Sequence, residues 1–366
     1  MAAALGIGRF AYTPLLPQMV TDGGWDYGQA GDLASANFVG YFVGALLAPL
    51  LAGAAKVRLL LAFSMMASVI TTYFGAEVQT YTQWLVMRFA AGVASAFCLV
   101  IVTSQLMQTL RSERAEHLGN IHFAGVGLGI LLCMAGVNLA GTVDEQWARQ
   151  GVLAALCMAF SWILVSSGPW HVKQPQSEVL NQPGVTTPIL RLVVGYGLFG
   201  FGYVVSATFV VAMGERISNQ GLDANIAWVV VGASTVVSVY LWQWFAQRRG
   251  LRIALIVSYL VLAMGAFLAG WAQSIWLLLV AAALLGGTFG GITALGLSAG
   301  RALTENIAWI VSLMTVAFSL GQLLGPAVAG RLADAMGGFF WPSLLAATVV
   351  VIAALLVPRE KRLAAN

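Results

Sequence analysis

Twelve apolar runs, each about as long as a lipid bilayer is thick, divide this chain into six, a polar break and six more. The first six fall near 1–20, 31–55, 59–76, 82–109, 119–141 and 147–168; the others near 188–212, 224–247, 251–271, 274–300, 306–330 and 337–357. A helix needs about 20 apolar residues to cross a hydrocarbon core roughly 30 Å thick. Of the 366 residues, 60% are hydrophobic and only 9% are charged. Water-soluble domains carry about 25% charged residues, so this chain lacks the charge to coat a water-facing surface. The expected fold is an all-α membrane protein of twelve transmembrane helices in two six-helix bundles. These are residues 1–168 and 188–366, joined by a cytoplasmic linker over 169–187.

The charges give an orientation. With the N-terminus cytoplasmic, thirteen of the eighteen Lys and Arg residues fall on the cytoplasmic side, among them Lys56, Arg58, Arg111, Arg114, Lys173, Arg248, Arg249, Arg252 and Lys361. Arg149, Arg216 and Arg331 fall on the other side, and Arg9 and Arg88 lie within runs. This bias fits the positive-inside rule with both termini cytoplasmic. Trp25, Trp84, Trp147, Trp276 and Trp341 fall at the outer ends of runs, where an aromatic belt is expected. The net charge of +4 therefore sorts by loop and forms no basic stripe for nucleic acid. The apolar run begins at Met1 itself with no cleavable leader pattern, so a start upstream of Met1 is expected.

The two sets of six look like a parallel repeat. An offset of 194 places Gly6, Gly8 and Arg9 on Gly200, Gly202 and Tyr203, and Arg58 on Arg252. An offset of 192 places Trp84 on Trp276 and Phe97 on Phe289. Carriers built from such repeats place their site between the halves near mid-membrane.

Several local strings resemble the major facilitator superfamily (MFS). Arg88 followed by Gly92 resembles its fourth-helix motif. Gln247 to Arg252, with Arg249, Gly250 and Arg252 at its centre, is similar to the second copy of its basic loop motif, and Gly325-Pro326 to its Gly-Pro motif. The first-run string Gly6-Ile7-Gly8-Arg9-Phe10-Ala11-Tyr12-Thr13-Pro14-Leu15-Leu16-Pro17 resembles the YbfB/YjiJ-type branch of bacterial MFS proteins. This resemblance implies a multi-pass protein of the bacterial inner membrane that works by alternating access, with helices one, four, seven and ten lining the central cavity. Three departures stand out. The loop between the second and third runs keeps Lys56 and Arg58 but lacks the motif's Asp and Gly-Arg-Arg. Ala91 stands where drug antiporters often have Gln, and the fifth run, Gly125 to Gly129, lacks their Gly-Pro pair.

Arg9 is the residue that bears most on function. It lies about twelve residues from the outer end of the first run, so about 18 Å deep. A charge there costs at least about 2.5 kcal/mol and lies beyond easy snorkelling reach of the headgroups. Either it binds an anion, with Tyr12 on the same helical face, or it is bonded to carbonyls freed by the prolines. Pro14 and Pro17 remove partners from the carbonyls of Phe10 and Thr13, as a gate hinge or as a static kink. Arg88, about 9 Å deep, is a second anion contact, part of an outer gate, or a cation that snorkels to the surface or pairs with Asp22 or Asp32. Tyr203, at the repeat position of Arg9, offers a hydroxyl and a ring face, or simply packs. Arg249, Gly250, Arg252, Gly325 and Pro326 are expected at gates and hinges. No carboxylate is mid-run, so proton coupling is left to His122 or Asp32, with substrate exchange as the alternative.

Several classes are excluded. There is no phosphate loop for ATP, no HExxH and no GxSxG elbow, so neither an enzyme nor an ATP-driven pump is expected, and no cofactor or metal. Cys98, Cys133 and Cys157 have no ligand spacing. GxxxG pairs such as Gly40–Gly44, Gly286–Gly290 and Gly321–Gly325 are packing devices. The expectation is a monomeric secondary transporter for a small solute, an organic anion first. Efflux of amphipathic drug-like compounds, or a non-transporting receptor or scaffold, is the alternative.

Overall fold

In the computed structural model, residues 1–51, 57–112, 122, 124–137, 139, 141–166, 184–217 and 223–359 are described. Most of the expected linker 169–187, and with it Lys173, lies outside them, as do Lys56, Arg114 and Lys361. Among the described residues the chain forms twelve α-helices and no strand. They are α1 (Tyr12–Gly23), α2 (Tyr27–Leu51), α3 (Val57–Tyr73), α4 (Tyr81–Ser112), α5 (Ala124–Val137), α6 (Val143–Ser166), α7 (Thr187–Glu215), α8 (Ile226–Arg249), α9 (Leu251–Trp271), α10 (Ile275–Leu303), α11 (Ile307–Met336) and α12 (Phe340–Leu356). Nine of these contain spans long and apolar enough to cross a membrane, and α5 and α12 are shorter apolar helices.

The first apolar run is not one regular helix. A π-helical turn covers Ala2–Ile7, and the chain passes through an irregular stretch containing Arg9 before α1 begins. The amides of Gly8 and Phe10 donate five residues back, to Ala3 and Leu5. Pro14 lacks an N–H, and the Phe10 carbonyl instead accepts from Thr13. The break expected at the prolines thus extends upstream, where the widened turn absorbs the misfit.

Close packing follows the glycines. A side chain at Gly40 would run into the Phe89 carbonyl, and one at Gly92 into that of Asn37, so α2 and α4 touch backbone to backbone. Gly31 and Gly330 do the same between α2 and α11, and Gly127 and Gly232 between α5 and α8. Small residues permit such approach where lipid supplies no hydrophobic drive for association.

The turns after α1, α3, α7 and α11 meet at one end of the molecule, here the Trp25 end. Trp25 packs edge-on against Tyr81 and Trp84, and Tyr27 against Phe339. The tryptophans divide there. Trp276 and Trp341 are exposed, as a belt requires, but Trp84 and Trp147 are buried against each other at 5.3 Å. That pair is core packing, contrary to the sequence expectation.

Candidate functional site

Arg9 is buried among the helices and is 6% exposed. Its guanidinium lies 4.3 Å from the Phe38 ring centroid and 4.4 Å from that of Tyr41, with Phe10 at 5.7 Å. Its Nη2 donates to Oε1 of Gln322 on α11 at 3.3 Å, and its Nε is buried without a partner. Main-chain oxygens freed by the proline break do not hold it. Among the described residues, no carboxylate lies within ion-pair distance of Arg9 or Arg88. Ring faces carry negative charge toward a cation, but they do not neutralise it.

A cavity of about 370 Å³ extends from Arg9 toward the Met1 end. Tyr41, Tyr196, Tyr203, Phe289, Phe318 and Gln322 are among its walls. Tyr203 stacks on Phe289 with centroids 4.2 Å apart and planes 13° apart. Tyr196 donates its hydroxyl to the Thr293 carbonyl at 3.4 Å. Stretches near α1 and residues of α4, α7 and α10 contribute, as expected, but so do α2 and α11. The residues that complete the cage around Arg9 come from these two helices. Phe38 and Tyr41 sit three apart on α2, a spacing common in apolar helices and therefore silent in sequence. Gln322 left a better signal, as a lone amide deep in an apolar run.

Arg88 is 4% exposed. Its Nη2 donates to the Arg9 carbonyl at 3.5 Å, its guanidinium lies 4.5 Å from the Tyr12 centroid, and its Nε has no partner. Neither Asp22 nor Asp32 pairs with it. Asp32 is taken by Arg331 of α11 in a two-pronged pair at 2.7 and 2.8 Å. Tyr12 also departs from expectation. It does not face the large cavity with Arg9, because its hydroxyl donates to the Ala30 carbonyl at 2.7 Å and turns the ring toward α2 and Arg88.

At the Trp25 end the molecule is closed. Besides the Asp32–Arg331 pair, Asp334 accepts from the backbone amides of Tyr27 and Gly28 at 3.1 and 2.7 Å, capping the start of α2. Thr13 donates to the Ala207 carbonyl at 3.0 Å, joining α1 to α7. Pro326 abuts Gly31 in this seam, and its neighbour Gly325 packs on α7.

The other expected gate residues lie apart from it. Arg249 is exposed, Gly250 takes a positive φ of 84° between α8 and α9, and Arg252 donates to the Pro358 carbonyl at 3.1 Å. That tether joins α9 to the chain after α12 and does not reach α1–α6. His122 shares a 3.3 Å hydrogen bond with Thr103, which lines the cavity. Cys98 and Cys133 are buried and Cys157 is partly buried, all as free thiols.

Residues 1–358 match the family described as "Uncharacterised MFS-type transporter YbfB". The purine ribonucleoside efflux pump NepI of Shigella dysenteriae serotype 1 is 21% identical, over 99% of this chain and 92% of that protein. The multidrug resistance protein MdtG of Proteus mirabilis is 29% identical over 40% of this chain, and the match spans only 38% of MdtG. Among solved structures, the nucleoside transporter NupG superposes with a TM-score of 0.71 at 16% identity, covering 97% of this chain and 96% of that one. That last likeness concerns the fold. The chain belongs to the YbfB-type family of MFS transporters, a family of multi-pass membrane carriers and not of enzymes.

Proposed function

We propose that this protein is a secondary carrier for a small organic anion with a planar apolar body, working by alternating access. One observation carries this reading: a buried guanidinium with no carboxylate partner among the described residues stands at the head of an aromatic-walled cavity. A carboxylate fits the guanidinium fork. The bound pair is then cheaper to occlude in low dielectric than the bare charge. Tyr203 and Phe289 offer a stacking face for the substrate's ring.

In this reading all twelve helices span the bilayer as two six-helix halves, 1–168 and 188–366, rocking about Arg9. The positive-inside bias supports a cytoplasmic location for both termini and the 169–187 linker, with the helices in a bacterial inner membrane. The cavity then faces the cytoplasm, and the Trp25 end is the closed outer gate. One chain encloses the whole pathway and acts as a monomer.

A second reading, an uncharged purine nucleoside, is favoured by the Tyr203–Phe289 stack, by the Gln322 amide, and by the names of NepI and NupG. Drug efflux draws only on the partial match to MdtG. Proteoliposomes separate these readings. Uptake of labelled benzoate that collapses in Arg9→Ala, with benzamide not carried, supports the anion carrier. Inosine flux without benzoate flux moves the assignment to nucleosides. Apolar efflux that persists in Arg9→Ala moves it to drugs. Flux of any of these solutes dismisses a receptor or scaffold.

A further inference from the structure

Arg9 borders two cavities, not one. Besides the large cavity on its Met1 side, a small pocket of about 20 Å³ lies on its Trp25 side, walled by Tyr12, Thr13, Phe38, Arg88, Ala207 and Thr208 among others. Arg9 and Phe10 belong to both walls, and Arg88 only to the small pocket. Phe10 and Arg9 thus stand between the two.

Arg88 is poorly satisfied where it stands. Among the described residues its one directional contact is a 3.5 Å bond to a main-chain carbonyl, its Nε is orphaned, and the Tyr12 ring covers one face. A buried donor left in this condition is costly, and a fixed buried cation even more so. The pocket also lies beside one of the contacts at this end, since Thr13 bonds Ala207 and both line it. Parting α1 from α7 would break that bond and widen the pocket, with Arg88 on its wall.

We infer that Arg88 is a second anion station, serving the face opposite the large cavity: an anion at the Trp25 end meets Arg88 first, and one at the Met1 end meets Arg9 first. The two guanidiniums, linked through the Arg9 carbonyl, make a two-step path past Phe10. This inference rests on the anion-carrier reading but is tested without a transported substrate.

The test uses Thr208→Cys, which lines the small pocket, in a chain with Cys98, Cys133 and Cys157 replaced by Ala. Membrane-impermeant thiol reagents, the anionic MTSES and the cationic MTSET, are applied to one face at a time. Reaction is expected from the Trp25 face, with a strong preference for MTSES. Arg88→Gln is expected to lower the MTSES/MTSET rate ratio about tenfold, the scale on which a charged cleft concentrates counter-ions, and Arg88→Lys to retain it. A ratio unchanged in Arg88→Gln overturns the inference, as does an introduced thiol that reacts from neither face or equally from both. Absence of benzoate flux in wild type alongside the expected labelling pattern would instead refute only the choice of substrate.

Discussion

Arg88 reaches the main-chain carbonyl of Arg9 while the Arg9 guanidinium turns away from it, toward Gln322. The two cations are therefore coupled through backbone and point to different spaces. A shift of the irregular stretch around Arg9 moves the acceptor of Arg88 at the same time.

Charge alone does not hold Arg9. Its flat guanidinium lies over the rings of Phe38 and Tyr41, and lysine presents a compact ammonium without that plane. Arg9→Lys is expected to keep benzoate transport but raise the half-saturating concentration about tenfold, for the loss of roughly 1–2 kcal/mol of stacking and bidentate geometry. Concentration-dependent uptake in proteoliposomes measures this. Equal affinity in the two proteins would mean that the ring cage has no part in binding.

Gln322 accepts a hydrogen bond from the Arg9 guanidinium across the molecule. Gln322→Leu strands that donor, at a cost of about 1–3 kcal/mol. Lower thermal stability of the empty protein is expected, with the deficit narrowing when saturating benzoate takes the place of the amide. A deficit that ligand leaves untouched would place Gln322 in packing alone.

The Asp32–Arg331 pair is well aligned but partly exposed, with Arg331 61% and Asp32 31% accessible. Exposed pairs contribute about 0–1 kcal/mol, so the latch biases the closed end and does not lock it. Arg331→Ala is expected to shift the population toward an open Trp25 end by up to about fivefold. In the unmodified protein the same bias should weaken at high salt. Spin labels at Asp26 and Met336, across the seam, report it as a longer-distance component. No change in either condition would assign closure to the Asp334 cap and the Gly31–Pro326 contact.

At Gly92 a methyl group would strike the Asn37 carbonyl of α2. Backbone cannot move aside as a flexible side chain can, so Gly92→Ala is expected to cost about 1–3 kcal/mol. Gly184, with nothing near its Cβ position, serves as a silent control. Thermal unfolding in detergent compares the two. Equal midpoints would show that α2 and α4 separate freely.

The sequence made Arg9 conspicuous for a simple reason: a charge in an apolar run has few explanations. Tyr203 was found through the repeat offset. The residues that cage Arg9 were not, because α2 and α11 are apolar almost all round, and periodicity cannot then say which face turns inward. Partner choice was equally hidden. Asp32 lies near Arg88 in depth, yet it pairs with Arg331, 299 positions away. Tyr12 shares a face with Arg9 on an ideal helix, but residues 8–11 form an irregular turn ahead of α1, so the ideal rotation between them does not apply. The tryptophans at run ends were read as a belt by position alone, and only packing separates Trp84 and Trp147 from Trp276 and Trp341.

The bond from Arg9 to Gln322 spans 313 positions, which has a consequence for biogenesis. Synthesis runs from the N-terminus, so the ribosome delivers the cation long before its amide partner exists. Phe38 and Tyr41, the rings over that cation in the complete fold, follow it closely in the chain and are made long before Gln322. A truncated product ending before α11 would keep those rings but never gain the amide, and quality-control proteases would meet it with that donor still exposed.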